Sequence, residues 1–298
     1  MPITDYIALD VETANSDFAS ICAIGLVHFK QGEVFKSLTI LVDPDDDFSP
    51  ANIAIHGIRP EDVAGKPTMA TVFPVINAAL QDAAIVHHSP FDRTALARAA
   101  IKYGSTGLPC VWVDSCQIAR RVWPDFKGNG GHGLAHLCQS FEIAFKHHDA
   151  AEDARAAGLI VQKAIAKSDI PFAAWVEEIG YCSTAEDAVP RRINPQVQYS
   201  PKVSLKGVEG GPMYGETLVF TGSLTVPRLE ASQLAAHAGC DVESGVNKRT
   251  TLLVVGDQDL RLMKGQEKSA KHRKAETMIA QGANIRILRE SDFLLMVR

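Results

Sequence analysis

Tyr6-Ile7-Ala8-Leu9-Asp10-Val11-Glu12-Thr13 is the stretch whose reading decides the rest. It is an apolar, strand-forming run that ends in two acids. Side chains alternate faces along a strand, so Asp10 and Glu12 point one way and Val11 points the other, into a core. Two carboxylates about 4 Å apart repel by about 4 kcal/mol at an effective dielectric near 20. Such a pair is tolerated at a frayed, solvated strand end, or with one acid protonated, or with a cation between the two. The stretch alone leaves these readings open.

Downstream, residues 21–29 and 33–42 read as two more strands joined by the turn Lys30-Gln31-Gly32, so the chain opens with an antiparallel meander. Pro44-Asp45-Asp46-Asp47 is a solvated acidic turn, and His56-Gly57-Ile58 closes a short helical segment. Residues 68–80 have helical spacing, with Val72, Val75, Ile76, Ala79 and Leu80 on the apolar face. A buried strand at 83–86 runs into His87-His88-Ser89-Pro90-Phe91-Asp92, and a helix follows over 93–103. A strand at 111–114, a helix at 115–122, a glycine-rich loop at 128–131 and helices at 134–141 and 150–166 complete a first domain over 1–168. Residues 172–179 add one helix, but 169–213 otherwise lack periodicity and are punctuated by Pro and Gly, which marks a linker. Residues 214–298 then alternate: strand 218–220, helix 228–238, strands 240–243 and 251–255, helix 270–280, strand 284–287, helix 291–297. That order predicts a small parallel sheet flanked by helices.

With 46% hydrophobic and 22% charged residues over 298 positions, the composition is that of a globular protein long enough for two domains. Asp5 and Asp10 stand where a signal peptide would carry basic and then apolar residues, and no run is long enough to span a membrane. The six cysteines have no paired spacing, which points to reduced thiols in a cytoplasmic protein and not to a disulfide framework or a zinc site. The net charge of −5 does not announce a nucleic-acid binder. It is uneven, however: residues 213–298 carry 12 Lys+Arg against 10 Asp+Glu, and the remainder 18 against 25. Acids that hold divalent cations would still let such a domain meet DNA.

Two further segments bear on the acids of the first strand. Asp92 lies just past a strand end at the mouth of a helix, a position that serves either as a cap or as a functional group. In His147-His148-Asp149-Ala150-Ala151-Glu152-Asp153, Asp149 is a helix N-cap and Glu152 the reciprocal member of a capping box. His148 and Asp153 then occupy the two positions that usually form an apolar staple. An imidazole and a carboxylate there lose packing, and function accounts for that loss better than packing does. His147 falls outside this geometry and reads as a surface histidine.

Taken together, Asp10-Val11-Glu12-Thr13, Phe91-Asp92 and His148 with Asp153 resemble the three motifs of the DEDD exonucleases, in the histidine subtype of polymerase proofreading subunits. The resemblance covers residues 4–166, with Ser89 standing where many relatives have Asn. It implies an RNase H-like α/β fold and metal-dependent 3′–5′ hydrolysis of DNA, in repair or proofreading. Asp10, Glu12, Asp92 and Asp153 would hold two Mg²⁺ or Mn²⁺ ions, hard cations that prefer carboxylate oxygen. His148 would be the general base, since an imidazole titrates near neutrality. Thr13 and His56, the latter in a His-Gly-Ile pattern frequent in that group, would contact the substrate.

Other signals are poorer. His132 and His136 lack a third ligand, 128–131 lacks the lysine and preceding strand of a phosphate loop, and Trp123, Phe141 and Trp175 read as core. In the second domain, Leu218-Val219-Phe220-Thr221-Gly222-Ser223-Leu224 with Arg228, and 246–256, resemble a single BRCT domain like that of NAD-dependent DNA ligases. That resemblance implies that Thr221, Gly222, Arg228 and Lys271 hold a DNA 5′-phosphate. A module that packs against replication or repair proteins is the competing reading. For the whole chain, the competitors are a DNA-end or protein-binding adaptor with a vestigial nuclease site, and a 3′–5′ exoribonuclease.

Overall fold

The computed structural model describes residues 5–105, 108–126, 131–182, 204–256 and 268–297. The chain divides into two compact units, Met1–Ala188 and Val189–Arg298.

The first unit is a mixed sheet with helices. Its elements in chain order are β1 (Tyr6–Thr13), β2 (Ile21–Lys30), β3 (Glu33–Leu41), α1 (Pro50–His56), α2 (Pro60–Val63), α3 (Met69–Leu80), β4 (Ala84–His87), α4 (Phe91–Lys102), β5 (Val111–Asp114), α5 (Ser115–Val122), α6 (Leu134–Ser140), α7 (Ala150–Ser168), α8 (Phe172–Ile179) and β6 (Tyr181–Cys182). The strand order is β3-β2-β1-β4-β5-β6. The meander pairs antiparallel, while β4 runs parallel to β1 and β5 parallel to β4. This is the RNase H-like arrangement, with β1 in the interior of the sheet and its carboxyl end beside that of β4.

Helix α7 fixes the site against this sheet. Its buried face is made of small residues, Ala150, Ala151, Ala154, Ala157 and Gly158, with Ile160 and Val161. Alanine both favours the helix and lets it lie close to the strands. Gly25 on β2 pairs across the ladder with Asp10. A Cβ at Gly25 would run into the backbone of Ala150. The missing side chain therefore allows the first turn of α7 to touch the sheet opposite Asp10. Further along, the Phe29 ring fills the space that a Cβ on Gly158 would need. Tyr6 ties the same contact: its ring stacks on Phe29, and its hydroxyl donates to the Gly158 carbonyl at 2.9 Å.

Several expectations shift in detail. Val75, assigned to the apolar face of α3, is 69% exposed. Helix α4 starts at Phe91, two residues early, so Asp92 lies in its first turn. Of the glycine-rich loop, 127–130 lie outside the described residues. Within 169–213, read as a linker, α8 buries Phe172 and Trp175 in the core of the first unit, and β6 pairs with β5. Leu205 bridges Val242 of the second unit, and 183–203 lie outside the described residues.

The second unit has β7 (Thr217–Thr221), α9 (Arg228–His237), β8 (Asp241–Glu243), β9 (Leu252–Val255), α10 (Ala270–Ala280), β10 (Arg286–Arg289) and α11 (Glu290–Met296). The sheet is parallel throughout, in the order β10-β9-β7-β8. Strand β10 lies two residues later than its apolar run implied, because Arg286 pairs with Leu252 and Arg289 with Val255. Glu290, fully buried, anchors α11 by accepting the main-chain N–H groups of Thr225 and Val226 at 2.7 and 3.0 Å. None of the six cysteines is in a disulfide. Among the described residues, no helix is long and apolar enough to cross a membrane.

Gly25→Ala puts a methyl group into the backbone of α7, and overpacking of this kind costs about 1–3 kcal/mol. Thermal unfolding should show a lowered transition for the first unit; an unchanged transition would contradict the close contact.

Candidate active site

Asp10, Glu12 and Asp153 offer carboxylate oxygens that all lie within 4.8 Å of one another. Strand alternation puts the first two on one face of β1, and the close seating of α7 brings Asp153, one turn into that helix, up to them. None is more than 8% exposed. Asp92 is not part of that close group but is joined to it through β1. Its Oδ1 accepts the N–H of Val11, the residue between the two β1 acids, at 3.0 Å. It is thus bound into the site whether or not it also meets an ion. Phe91 packs edge-on against Phe18 and holds the start of α4.

His148 donates its main-chain N–H to Asp153 Oδ2 at 2.9 Å, and its Nδ1 lies 4.0 Å from Glu12 Oε1. The staple positions therefore do meet, as a polar pair. His148 sits at φ 65°, in the left-handed region. A non-glycine residue there costs roughly 1–2 kcal/mol. Asp149 caps α7 through the N–H of Glu152. The capping box is not reciprocal, however: the Glu152 carboxylate is bound by Arg155 at 2.7 Å. His147 is not an isolated surface histidine either. Its ring lies against that of His148, with centroids 3.8 Å apart and planes tilted by 36°, and it falls in a second close group with His148 and Asp153.

Thr13 and His56 are brought together beside this cluster. The His56 Nδ1 accepts the N–H of Ile58 at 3.0 Å, which leaves Nε2–H to donate to the Thr13 carbonyl at 3.1 Å. Burial holds His56 below its ordinary pKa, so it is a neutral donor. Asn52, which the sequence reading did not single out, donates to the Thr13 carbonyl at 2.8 Å and its Ser49 neighbour caps α1. The Ser-Pro-x-Asn start of α1 was the available signal.

Asp114 was also missed, because it read as the end of a strand. Its Oδ1 accepts the N–H of Ser89 at 3.2 Å and of Cys116 at 2.8 Å. Ser89 has φ 90°, so the carboxylate pins the strained turn that delivers Asp92. Burial pushes the Asp114 pKa up, but His87, Arg120, His88 and the Ser89 N–H outweigh it and hold the group below the carboxylate range. Burial lowers His88 to about 4, against the pull of Asp114, and its Nε2–H donates to the His132 carbonyl at 2.9 Å. His132 is buried and bonded to the Trp123 carbonyl, a core histidine.

In the second unit the four expected residues converge on the end of β7. Thr221 Oγ1 lies 2.7 Å from Ser269 Oγ, Arg228 donates to the Gly222 carbonyl at 2.6 Å, and Lys271 donates to the Phe220 carbonyl at 2.9 Å. Gly222 needs its φ of 76° to turn the chain there. Burial, and then the nearby Arg228, lower the Lys271 pKa.

Three carboxylates suit a hard divalent cation, and such an ion would offset their mutual repulsion. DNA polymerase III PolC-type of Streptococcus suis is 27% identical over 245 residues, 78% of this chain and 16% of that protein. The PolC-type polymerase of Halalkalibacterium halodurans is 26% identical over 166 residues, 54% of this chain and 11% of its own length. The chain thus spans less than a fifth of these curated relatives. Exonuclease X in complex with 5′ overhanging duplex DNA is a solved structure 23% identical, covering 55% of this chain and 93% of its own, with a TM-score of 0.44. The BRCA1 C Terminus (BRCT) family model matches residues 209–296. The exonuclease family model (RNase_T) matches residues 7–161, which span Asp10, Glu12, Asp92, His148 and Asp153, and the chain belongs to that exonuclease family.

Proposed function

We propose that the chain is a metal-dependent 3′–5′ exonuclease that removes nucleotides from DNA in repair or proofreading. The observation that carries this reading is the buried group Asp10, Glu12 and Asp153, joined by Asp92 and His148 at the carboxyl ends of β1 and β4. Asp10, Glu12 and Asp153 would hold one Mg²⁺ or Mn²⁺, and Asp10 with Asp92 a second. When bound, the ions supply a water of lowered pKa and charge to offset the phosphate and the leaving oxygen. His148 takes the proton of the attacking water. Its strained backbone and the bond of its N–H to Asp153 hold the ring at the mouth of the acidic group. Thr13 and the neutral His56 line the approach and position the terminal nucleotide. The domain division proposed is an N-terminal exonuclease domain, extended beyond 168 by α8 and β6, and a C-terminal BRCT domain.

Asp10→Ala or Asp153→Ala should reduce nuclease activity to background while the protein stays folded. Removing one acid also relieves repulsion, so the metal-free variant should melt at the same temperature as the parent or higher. Normal activity in either variant would overturn the metal assignment. His148→Gln should lower turnover by about 10²–10⁴ and remove the acid limb of the pH–rate profile, in which activity falls as the imidazole gains its proton. An unaltered profile would remove His148 from the role of base.

For the second unit we propose that Thr221, Gly222, Arg228 and Lys271 receive the 5′-phosphate of a duplex end. The convergence of two cations, a hydroxyl and a positive-φ glycine on one strand end supports this. With nuclease activity silenced by Asp10→Ala, the full chain should bind 5′-phosphorylated duplex more tightly than 5′-hydroxyl duplex. Arg228→Ala with Lys271→Ala should abolish the difference. Equal affinity for the two ends before that change would assign the unit to protein contact.

A further inference from the structure

We propose that His147, His148 and Asp153 form a second metal site, one suited to a borderline transition-metal ion such as Zn²⁺. Its occupation would inhibit the proposed nuclease centre by withdrawing two of that centre's groups. The inhibitory half rests on the function proposed above; the site itself does not.

The geometry comes first. Each of the three residues offers a ligand atom, and these atoms lie within 4.8 Å of one another. Consecutive residues in extended chain point to opposite sides. Here the left-handed φ of His148 turns the chain, and the two imidazoles come to lie against each other, with centroids 3.8 Å apart and planes tilted by 36°. Phe145 braces the outer ring from 5.4 Å. The start of α7 then delivers Asp153 to the same point, with His148's own N–H fixing its carboxylate. Backbone strain that brings two imidazoles onto a carboxylate is the kind that persists where it is used.

The donor set decides the ligand. Two imidazole nitrogens and one carboxylate oxygen suit Zn²⁺, Ni²⁺ or Cu²⁺, while Mg²⁺ and Mn²⁺ favour sites rich in oxygen. The neighbouring group, Asp10, Glu12 and Asp153, is all oxygen. Two sites of opposite preference therefore share one carboxylate. An ion held by the imidazoles draws on Asp153, needed by the hard cation, and takes the lone pair of His148, needed for the proton. His147 is the residue that makes the difference: without it, two ligands remain, both already belonging to the other group.

The test uses the whole 298-residue chain with Asp10→Asn and Glu12→Gln, which disables the all-oxygen group, and Co²⁺ as a spectroscopic probe. Titration with Co²⁺ should produce visible d–d absorption that saturates at one ion per chain and is displaced by Zn²⁺. His147→Ala in the same background should lose that band. No saturable band in the parent, or an equal band after His147→Ala, overturns the site. A second arm measures Zn²⁺ inhibition of hydrolysis at fixed Mg²⁺ in the chain with Asp10 and Glu12 intact, each variant compared with its own zinc-free rate. The half-inhibiting Zn²⁺ concentration should rise on His147→Ala. An unmoved inhibition curve overturns the inhibitory role. A chain with no hydrolysis at all would count against the nuclease reading, and the Co²⁺ titration would still decide the site.

Discussion

Three buried carboxylates that cannot move apart are the constraint on which the first unit turns. Asp10 and Glu12 are fixed on one face by the period of β1, and Asp153 is fixed by α7, whose first turn lies against Gly25 directly across the ladder from Asp10. Each close pair of like charges at about 4 Å costs about 4 kcal/mol at an effective dielectric near 20. The fold does not relieve this by spreading the acids. It tightens the cluster, with a glycine that admits the helix and a stripe of alanines that keeps it close. A chain selected for stability alone would place apolar residues at these positions. In the proposed metal centre that repulsion is stored affinity for a divalent cation, which would stabilise the folded chain on binding.

The other groups at the site are arranged around that cluster by backbone contacts. Asp92 is tied to the Val11 N–H, His148 through its own N–H to Asp153, and His56 through its ring to the Thr13 carbonyl. Asp114 holds the Ser89 turn from below. Side chains locked to main chain have few rotamers left, which is what positions a catalytic group before substrate arrives. The second unit follows a related pattern: Arg228 and Lys271 bind carbonyls at the end of β7, so their charges are held in place and not left to wander in solvent.

Much of this was legible in the sequence because it is governed by local period. The two-residue repeat of β1, the strand-to-helix junction at Asp92 and the helix start at Asp149 each place a residue without knowledge of its neighbours. What depends on neighbours was not legible. Glu152 read as half of a capping box, but Arg155, one turn on, takes its carboxylate. His147 read as surface because its partner ring arrives only through the left-handed turn at His148. Asp114 looked like the last residue of a strand, and only the packing of β5 beside β4 reveals it as the support of the Ser89 turn. The two-residue offset of β10 has the same origin, since its register is set by pairing with β9 and not by its own apolar run.

The claim that the acidic cluster is a 3′–5′ exonuclease centre is tested most directly by the product pattern on end-labelled DNA with Mg²⁺ or Mn²⁺. A 5′-labelled strand should shorten to a descending ladder, while a 3′-labelled strand should release labelled mononucleotide from the first time point, and chelation of the metal should stop both. Internal cleavage, release of the 5′ label first, or no hydrolysis with saturating metal would contradict the account.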